Sequence, residues 1–125
     1  MRWRRRRPRY RACLRRVRRL EAEGVITGYT AVVNPAKLGR GFEVLLHVDL
    51  APMAFTAVEA FAHRIAAMDE VVELRRMFGI PDYLIRVQIA DMDAYERWLT
   101  TQLLGAPAIA RADSRMTMKL IKPAR

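Results

Sequence analysis

The chain has 125 residues, enough for one domain with a short appendage, and an apolar fraction of 52% supplies a full core. No apolar run approaches the ~20 residues of a bilayer-spanning helix, and no apolar stretch of secretory-signal length follows the basic N-terminus, which argues against a membrane partner. The net charge of +10 is concentrated at one end, where residues 1–23 hold eleven arginines against Glu21 and Glu23. A basic head on a near-neutral body points to nucleic acid or another polyanion. The single cysteine, Cys13, excludes an intrachain disulfide and fits a reducing, cytoplasmic location.

Residues 1–9, MRWRRRRPR, are too charged to pack, and self-repulsion predicts disorder there until a polyanion neutralises them. Residues 10–23 read as a helix. Cys13, Leu14, Val17 and Leu20 form a narrow apolar stripe, Arg15, Arg16, Arg18 and Arg19 fill the other faces, and Gly24 is placed to end it. Residues 25–33 are apolar and β-branched and close on Asn34-Pro35, which predicts a short strand. After a loop holding Gly39 and Gly41, residues 42–50 alternate. Phe42, Val44, Leu46, Val48 and Leu50 share one face, opposite Glu43, Leu45, His47 and Asp49. Residues 55–68 have helical spacing, with Phe55, Val58, Phe61, Ala62, Ile65 and Met68 on one side.

The stretch VVELRRMFGIPDYLIRVQI, residues 71–89, reads as a hairpin punctuated by Gly79-Ile80-Pro81. Asp82 and Tyr83 stand at the mouth of that turn. Asp91 is placed to cap a helix over residues 92–104 with Met92, Tyr95, Leu99 and Leu103 as its buried stripe, and Trp98 reads as a surface or interface anchor. A last strand over residues 109–121 puts Ala112, Ser114, Met116, Met118 and Leu120 on one face.

From Phe42 the order is βαββαβ, an α+β ferredoxin-like domain. Its two helices cover one face of an antiparallel sheet and leave the other open. Leu45, His47, Val71, Met77, Leu84 and the Met116/Met118/Leu120 row leave neither face purely polar, which predicts a homodimer made through the sheets.

Residues 18–39, RRLEAEGVITGYTAVVNPAKLG, resemble the junction of the Lrp/AsnC (leucine-responsive/asparagine regulator) family, where a recognition helix leads through a short strand into the effector domain. The GIPDYLIRV hairpin, the D-x-x-x-Y-E-x-W-L helix and the M-x-K-x-x-K ending extend the resemblance over roughly residues 11–122. It implies a regulator of transcription that is not an enzyme, with a helix-turn-helix before the effector domain, amino-acid effectors bound near the hairpin turn, and homodimers that assemble further. An arginine run stands where the family carries two helices before the recognition helix. Residues 1–34 therefore read as a basic arm, a single basic helix left from a winged helix-turn-helix, and a linker strand. Residues 35–125 read as the ferredoxin-like sensing and oligomerisation domain. DNA contact is then expected to be weak, or to be made through a full-length paralogue, because a helix-turn-helix braces its recognition helix with the others.

The candidate DNA-contacting residues are Arg11, Arg15, Arg16, Arg18 and Arg19, able to clamp phosphates. The candidate effector residues are Gly79, Asp82 and Tyr83. Asp82 would accept from an α-ammonium group while backbone amides at Gly79 face a carboxylate. Against these stand blander readings: a solvated helix face, an aspartate bonding its own turn, and a tyrosine packing across strands. His47 and His63 lack neighbouring ligands for a metal, no cofactor motif occurs, and no nucleophile or acid/base constellation suggests catalysis. The rivals are a stand-alone effector-binding and oligomerisation domain without sequence-specific DNA binding, and a ferredoxin-like RNA binder whose sheet lacks base-stacking aromatic pairs.

Overall fold

The computed structural model describes residues 7–124, which fall in two compact units, Met1–Val33 and Asn34–Arg125. In the first, helix α1 runs Arg7–Ala22. It starts three residues before the expected Tyr10, so part of the segment expected to be disordered is helical, and residues 1–6 lie outside the described residues. Pro8 falls in the first turn, where a missing N–H forfeits no helical bond. Gly24, at φ 77°, ends the helix, and the amides of Val25 and Ile26 return to the Leu20 carbonyl at 2.8 and 3.1 Å.

The strand expected over residues 25–33 is not there. The segment is without regular structure, Val32 is 93% exposed and Tyr29 73%. β-branched composition makes a strand only when a neighbouring strand takes up its N–H and C=O groups, and nothing in its own unit does so.

In the second unit, a short 3₁₀ turn, Pro35–Leu38, is capped by the Asn34 side chain and leads to strand β1, Phe42–Leu50. Helix α2, Phe55–Ala66, strands β2, Val71–Arg76, and β3, Tyr83–Ile89, helix α3, Met92–Leu99, and strand β4, Ile109–Met116, complete the βαββαβ order. The sheet order is β2-β3-β1-β4, all neighbours antiparallel. The α+β ferredoxin-like architecture read from the sequence is the one observed.

The core lies between the sheet and both helices. Val44, Leu46, Val48, Tyr83, Ile85, Val87 and Ile89 meet Val58, Phe61 and Ile65 of α2 and Tyr95 and Trp98 of α3, all buried. Four readings of this packing need correction. Trp98 is buried at 6% exposure rather than a surface anchor, while Met92 is exposed at 49%. Tyr95 and Trp98, three residues apart, form the buried face of α3, Met92 is its first residue and stays exposed, and a π turn over Thr100–Leu104 then brings Leu103, five residues after Trp98, back onto that face. Phe55, the first residue of α2, is 67% exposed, and the buried stripe of the helix begins at Val58. β4 stops at Met116, and Met118 is 100% exposed.

The fourth correction concerns the open face. Val71 pairs with buried Val87 and Met116 with buried Val44, so both side chains lie on the helix-covered side. Met77, Met118 and Leu120 lie beyond the strands. Among paired strand residues the open face keeps Leu45 and Leu84 as its large apolar side chains, amid three ion pairs: Arg86–Glu43 at 2.9 Å, Arg75–Glu73 at 3.0 Å and Arg115–Asp113 at 3.1 Å. It is a charged surface, not the apolar one that predicted dimerisation.

Candidate functional site at the hairpin end of the sheet

The turn between β2 and β3 covers residues 77–82 and is closed by the Met77 amide donating to the Asp82 carbonyl at 2.9 Å. Gly79 takes φ 85°, which only glycine adopts without strain, and Ile80-Pro81 is cis. Phe78 and Ile80 project fully into solvent, at 107% and 90% exposure.

The three sequence-predicted effector residues have different surroundings. Gly79 forms the turn itself. Tyr83 is 3% exposed and its ring packs in the core, 6.2 Å from that of Phe61. Asp82 neither faces solvent freely nor bonds its own turn: its Oδ2 accepts the Leu50 amide at 2.7 Å, from the end of β1. That bond is charge-assisted and ties the turn to the strand two residues past Val48, the residue opposite Tyr83. The register of β1 against β4 shifts at the same place, between Asp49 and Leu50. Bulges of this kind re-aim side chains, and they are common beside functional sites.

A cleft of about 330 Å³ opens here on the charged face of the sheet, lined by His47, Asp49, Ile80, Pro81, Arg111, Asp113 and Arg115. Antiparallel pairing sets Asp49 opposite Arg111 and His47 opposite Asp113. The four charges are not equivalent. Asp113 is held by Arg115 at 3.1 Å. Asp49 and Arg111 face one another across the strands, yet no ion pair or side-chain hydrogen bond engages either among the described residues, and Oδ1 of Asp49 is fully enclosed without a donor. An enclosed carboxylate oxygen with no donor is costly in a folded protein. His47, Asp49 and Asp113 do not form a metal centre, since no group of three or more such side chains among the described residues is arranged to hold an ion.

Sequence reasoning missed this cleft. Its signal lay in the βαββαβ order, which makes the first and last strands neighbours and so brings residues 47 and 49 against residues 111 and 113.

At the other end of the sheet, Glu43 accepts from Arg86 Nε at 2.9 Å, Gln88 Nε2 at 3.2 Å and Thr117 Oγ1 at 2.9 Å. Burial pushes its carboxyl up, but these donors outweigh burial and hold it below the usual carboxylate range. In the first unit Arg11, Arg15, Arg16, Arg18 and Arg19 are all exposed on α1. Arg11, Arg15 and Arg18 share one helix face by their i, i+4, i+7 spacing, and Arg19 reaches Glu23 at 3.5 Å. No helix among the described residues is long and apolar enough to cross a membrane.

Comparison with known proteins places these features. Residues 43–125 match the Lrp/AsnC ligand binding domain. Over 110 residues, 88% of this chain and 66% of the relative, the chain is 36% identical to the leucine-responsive regulatory protein of Haemophilus influenzae. It is 34% identical to that of Escherichia coli K12 over 88% of this chain and 67% of that relative. The chain thus spans about two thirds of the length of these relatives. Among solved structures, an AsnC family transcriptional regulator from Agrobacterium tumefaciens superposes with a TM-score of 0.80 at 29% identity, over 90% of this chain and 72% of that one. A transcriptional regulator from Neisseria meningitidis in complex with L-methionine gives 0.81 at 29% identity, with the same coverage. This chain belongs to the Lrp/AsnC family of transcriptional regulators, which are not enzymes, and residues 43–125 are its ligand-binding domain.

Proposed function

We propose that the protein regulates transcription by coupling a basic DNA-contacting helix to an amino-acid sensor. The carrying observation is the family's ligand-binding domain, residues 43–125, in one chain with a helix whose Arg11, Arg15, Arg16, Arg18 and Arg19 are all exposed. In this reading those arginines neutralise backbone phosphates. The effector binds at the hairpin end of the sheet, with Gly79 shaping the turn, Asp82 fixing it to β1 and Tyr83 anchoring it in the core. Copies associate as a homodimer or higher oligomer through the open sheet face, by charge complementarity rather than apolar burial.

Two measurements test this. Electrophoretic mobility shift at two salt concentrations should show DNA affinity that falls as salt rises, because bound arginines release counterions. A thermal-shift screen of the twenty amino acids at millimolar concentration should show stabilisation by at least one of them. Salt-independent DNA binding would remove the phosphate-clamp role, and a flat screen would remove the sensor.

A single described helix in the first unit favours a second reading. In it the chain is an effector-binding and oligomerisation module without sequence-specific DNA binding, or with binding contributed by a full-length paralogue, since recognition helices are braced by companions. Amino-acid stabilisation together with no preference among DNA sequences would favour it.

A further inference from the structure

The end of α3 departs from an ordinary helix in two ways. The π turn over Thr100–Leu104 inserts one residue into the last turn. It seats Leu103, fully buried, where α-helical spacing would put Gln102, four residues after Trp98. One turn earlier, the indole Nε1 of Trp98 is enclosed and, among the described residues, has no acceptor. An enclosed donor without an acceptor is costly, so the observed register leaves in place a cost that another register would remove.

Gln102 carries what the indole lacks. Side chains four residues apart on an α-helix are neighbours, and a glutamine side-chain oxygen accepts an N–H. In the π register Gln102 is instead exposed, and its carbonyl accepts from Arg64 Nη2 of α2 at 3.0 Å. The Arg64 guanidinium also stands 5.8 Å from the centre of the Phe61 ring, which orients it from its own helix. Thr101 Oγ1 donates to the Arg97 carbonyl at 2.6 Å and so takes up an acceptor that the widened turn releases.

We propose that the end of α3 is a two-register switch, held in its π register by Arg64. In the α register, shifted by one residue, Gln102 turns inward and its Oε1 accepts from Trp98 Nε1, while Leu103 leaves the core. Each register satisfies what the other leaves out: the π register buries a leucine, and the α register pairs a buried indole with an amide. Such opposed terms make a packed element bistable rather than continuously deformable. Arg64 is exposed and serves as the handle, because loss of its bond to the Gln102 carbonyl removes a contact that the π register makes with α2.

The shift is relayed along the chain. Gly105 ends the turn, and three residues later the Ala108 carbonyl accepts the Ala51 amide at 2.8 Å. Ala51 follows Leu50, whose own amide Asp82 holds at 2.7 Å. A one-residue change in the slack of residues 105–108 therefore reaches the hairpin end of the sheet from the helix-covered side. This regulation goes beyond the sensor reading and does not rest on it, and its test contains no ligand.

Nuclear magnetic resonance on the full chain tests the switch through amide hydrogen exchange and the proton resonance of the Trp98 indole. Arg64→Ala should speed exchange of the Leu103 and Leu104 amides by at least about tenfold relative to that of Ile85, because the turn's amides are released at each change of register. The same variant should move the indole proton downfield as it gains an acceptor. Adding Gln102→Ala to Arg64→Ala should abolish that movement, because the acceptor is gone. Deleting Thr101 puts Leu103 four residues after Trp98 in an uninterrupted α-helix, so in that protein Arg64→Ala should change neither the indole resonance nor the exchange ratio. A parent-like indole resonance and exchange ratio in Arg64→Ala would mean one fixed register and overturn the proposal. An indole shift that persists without Gln102, a deletion protein that still responds to Arg64→Ala, or faster exchange that includes Ile85 equally would overturn it too. Arg64 and Gln102 are both exposed, so their variants keep the test decisive even where the deletion fails to fold.

Discussion

Glu43 ties three strands together, accepting from Arg86 and Gln88 of β3 and from Thr117 just past β4. Its carboxyl is held below the ordinary range in the folded protein, against the pull of burial. A depressed folded value means that the carboxylate contributes stability at pH values above its unfolded range, and that this contribution is lost as pH falls through the folded value. Glu43→Gln should therefore cost about 1–2 kcal/mol at neutral pH and flatten the acid arm of the stability profile. Urea denaturation at pH 7 and pH 3.5 reads both effects, and a variant that loses as much at pH 3.5 as at pH 7 would refute the assignment. Asp82 invites a parallel measurement. Asp82→Ala removes the acceptor of the Leu50 amide and should cost about 1–2 kcal/mol, whereas an aspartate that only bonded its own turn would cost less.

At the scale of elements, the sequence was most legible where alternation had a partner to act on. β1, with its strict Val44, Leu46, Val48 face, and the hairpin with its Gly79-Ile80-Pro81 turn were both readable, because burial on one face fixes the period. It misled where the decisive factor was not local. Residues 25–33 carry a strand's composition, but pairing depends on a neighbour that composition cannot supply. The α3 stripe was misjudged because its buried face runs through Tyr95 and Trp98, three residues apart, and because no residue in T-T-Q-L-L announces the π turn that carries Leu103 onto that face. The candidate site split the same way: the turn was visible from its glycine and proline, whereas Asp49 and Arg111 meet only through a β1–β4 register spanning 62 positions of chain. The turn itself gives a clean prediction. Gly79 has φ 85° and open space where a Cβ would sit, so Gly79→Ala should cost about 1 kcal/mol from backbone strain alone. Thermal unfolding checks it, and an unchanged melting temperature would mean that the turn relaxes out of the left-handed region.

For the whole molecule, the charge distribution separates two electrostatic behaviours. The helix carrying Arg11, Arg15, Arg16, Arg18 and Arg19 should govern DNA affinity. Each arginine replaced by glutamine that had contacted a phosphate should lower the slope of log affinity against log salt by about 0.9. A double Arg15→Gln, Arg16→Gln variant whose slope matches the parent's would remove those two from the contact set. The ligand-binding domain associates, in our reading, through a face patterned with Arg86–Glu43, Arg75–Glu73 and Arg115–Asp113. Such a face should release its partner as ionic strength rises, opposite to the strengthening that an apolar face shows in high salt. Light scattering at low and high sodium chloride distinguishes the two.

The inward turn of Trp98 also makes the domain optically self-reporting. The chain has two tryptophans, and the other, Trp3, lies at the extreme N-terminus. In the unit formed by Asn34–Arg125, Trp98 is therefore the lone indole, nearly sealed from water and stacked 6.0 Å from Tyr95. An indole in that setting emits at shorter wavelength than one in water, and loss of the core would move its emission toward the red. Replacing Trp3 with phenylalanine leaves a protein whose remaining tryptophan signal follows the packing of α3 on the sheet alone, without a label, during ligand titration and denaturation alike.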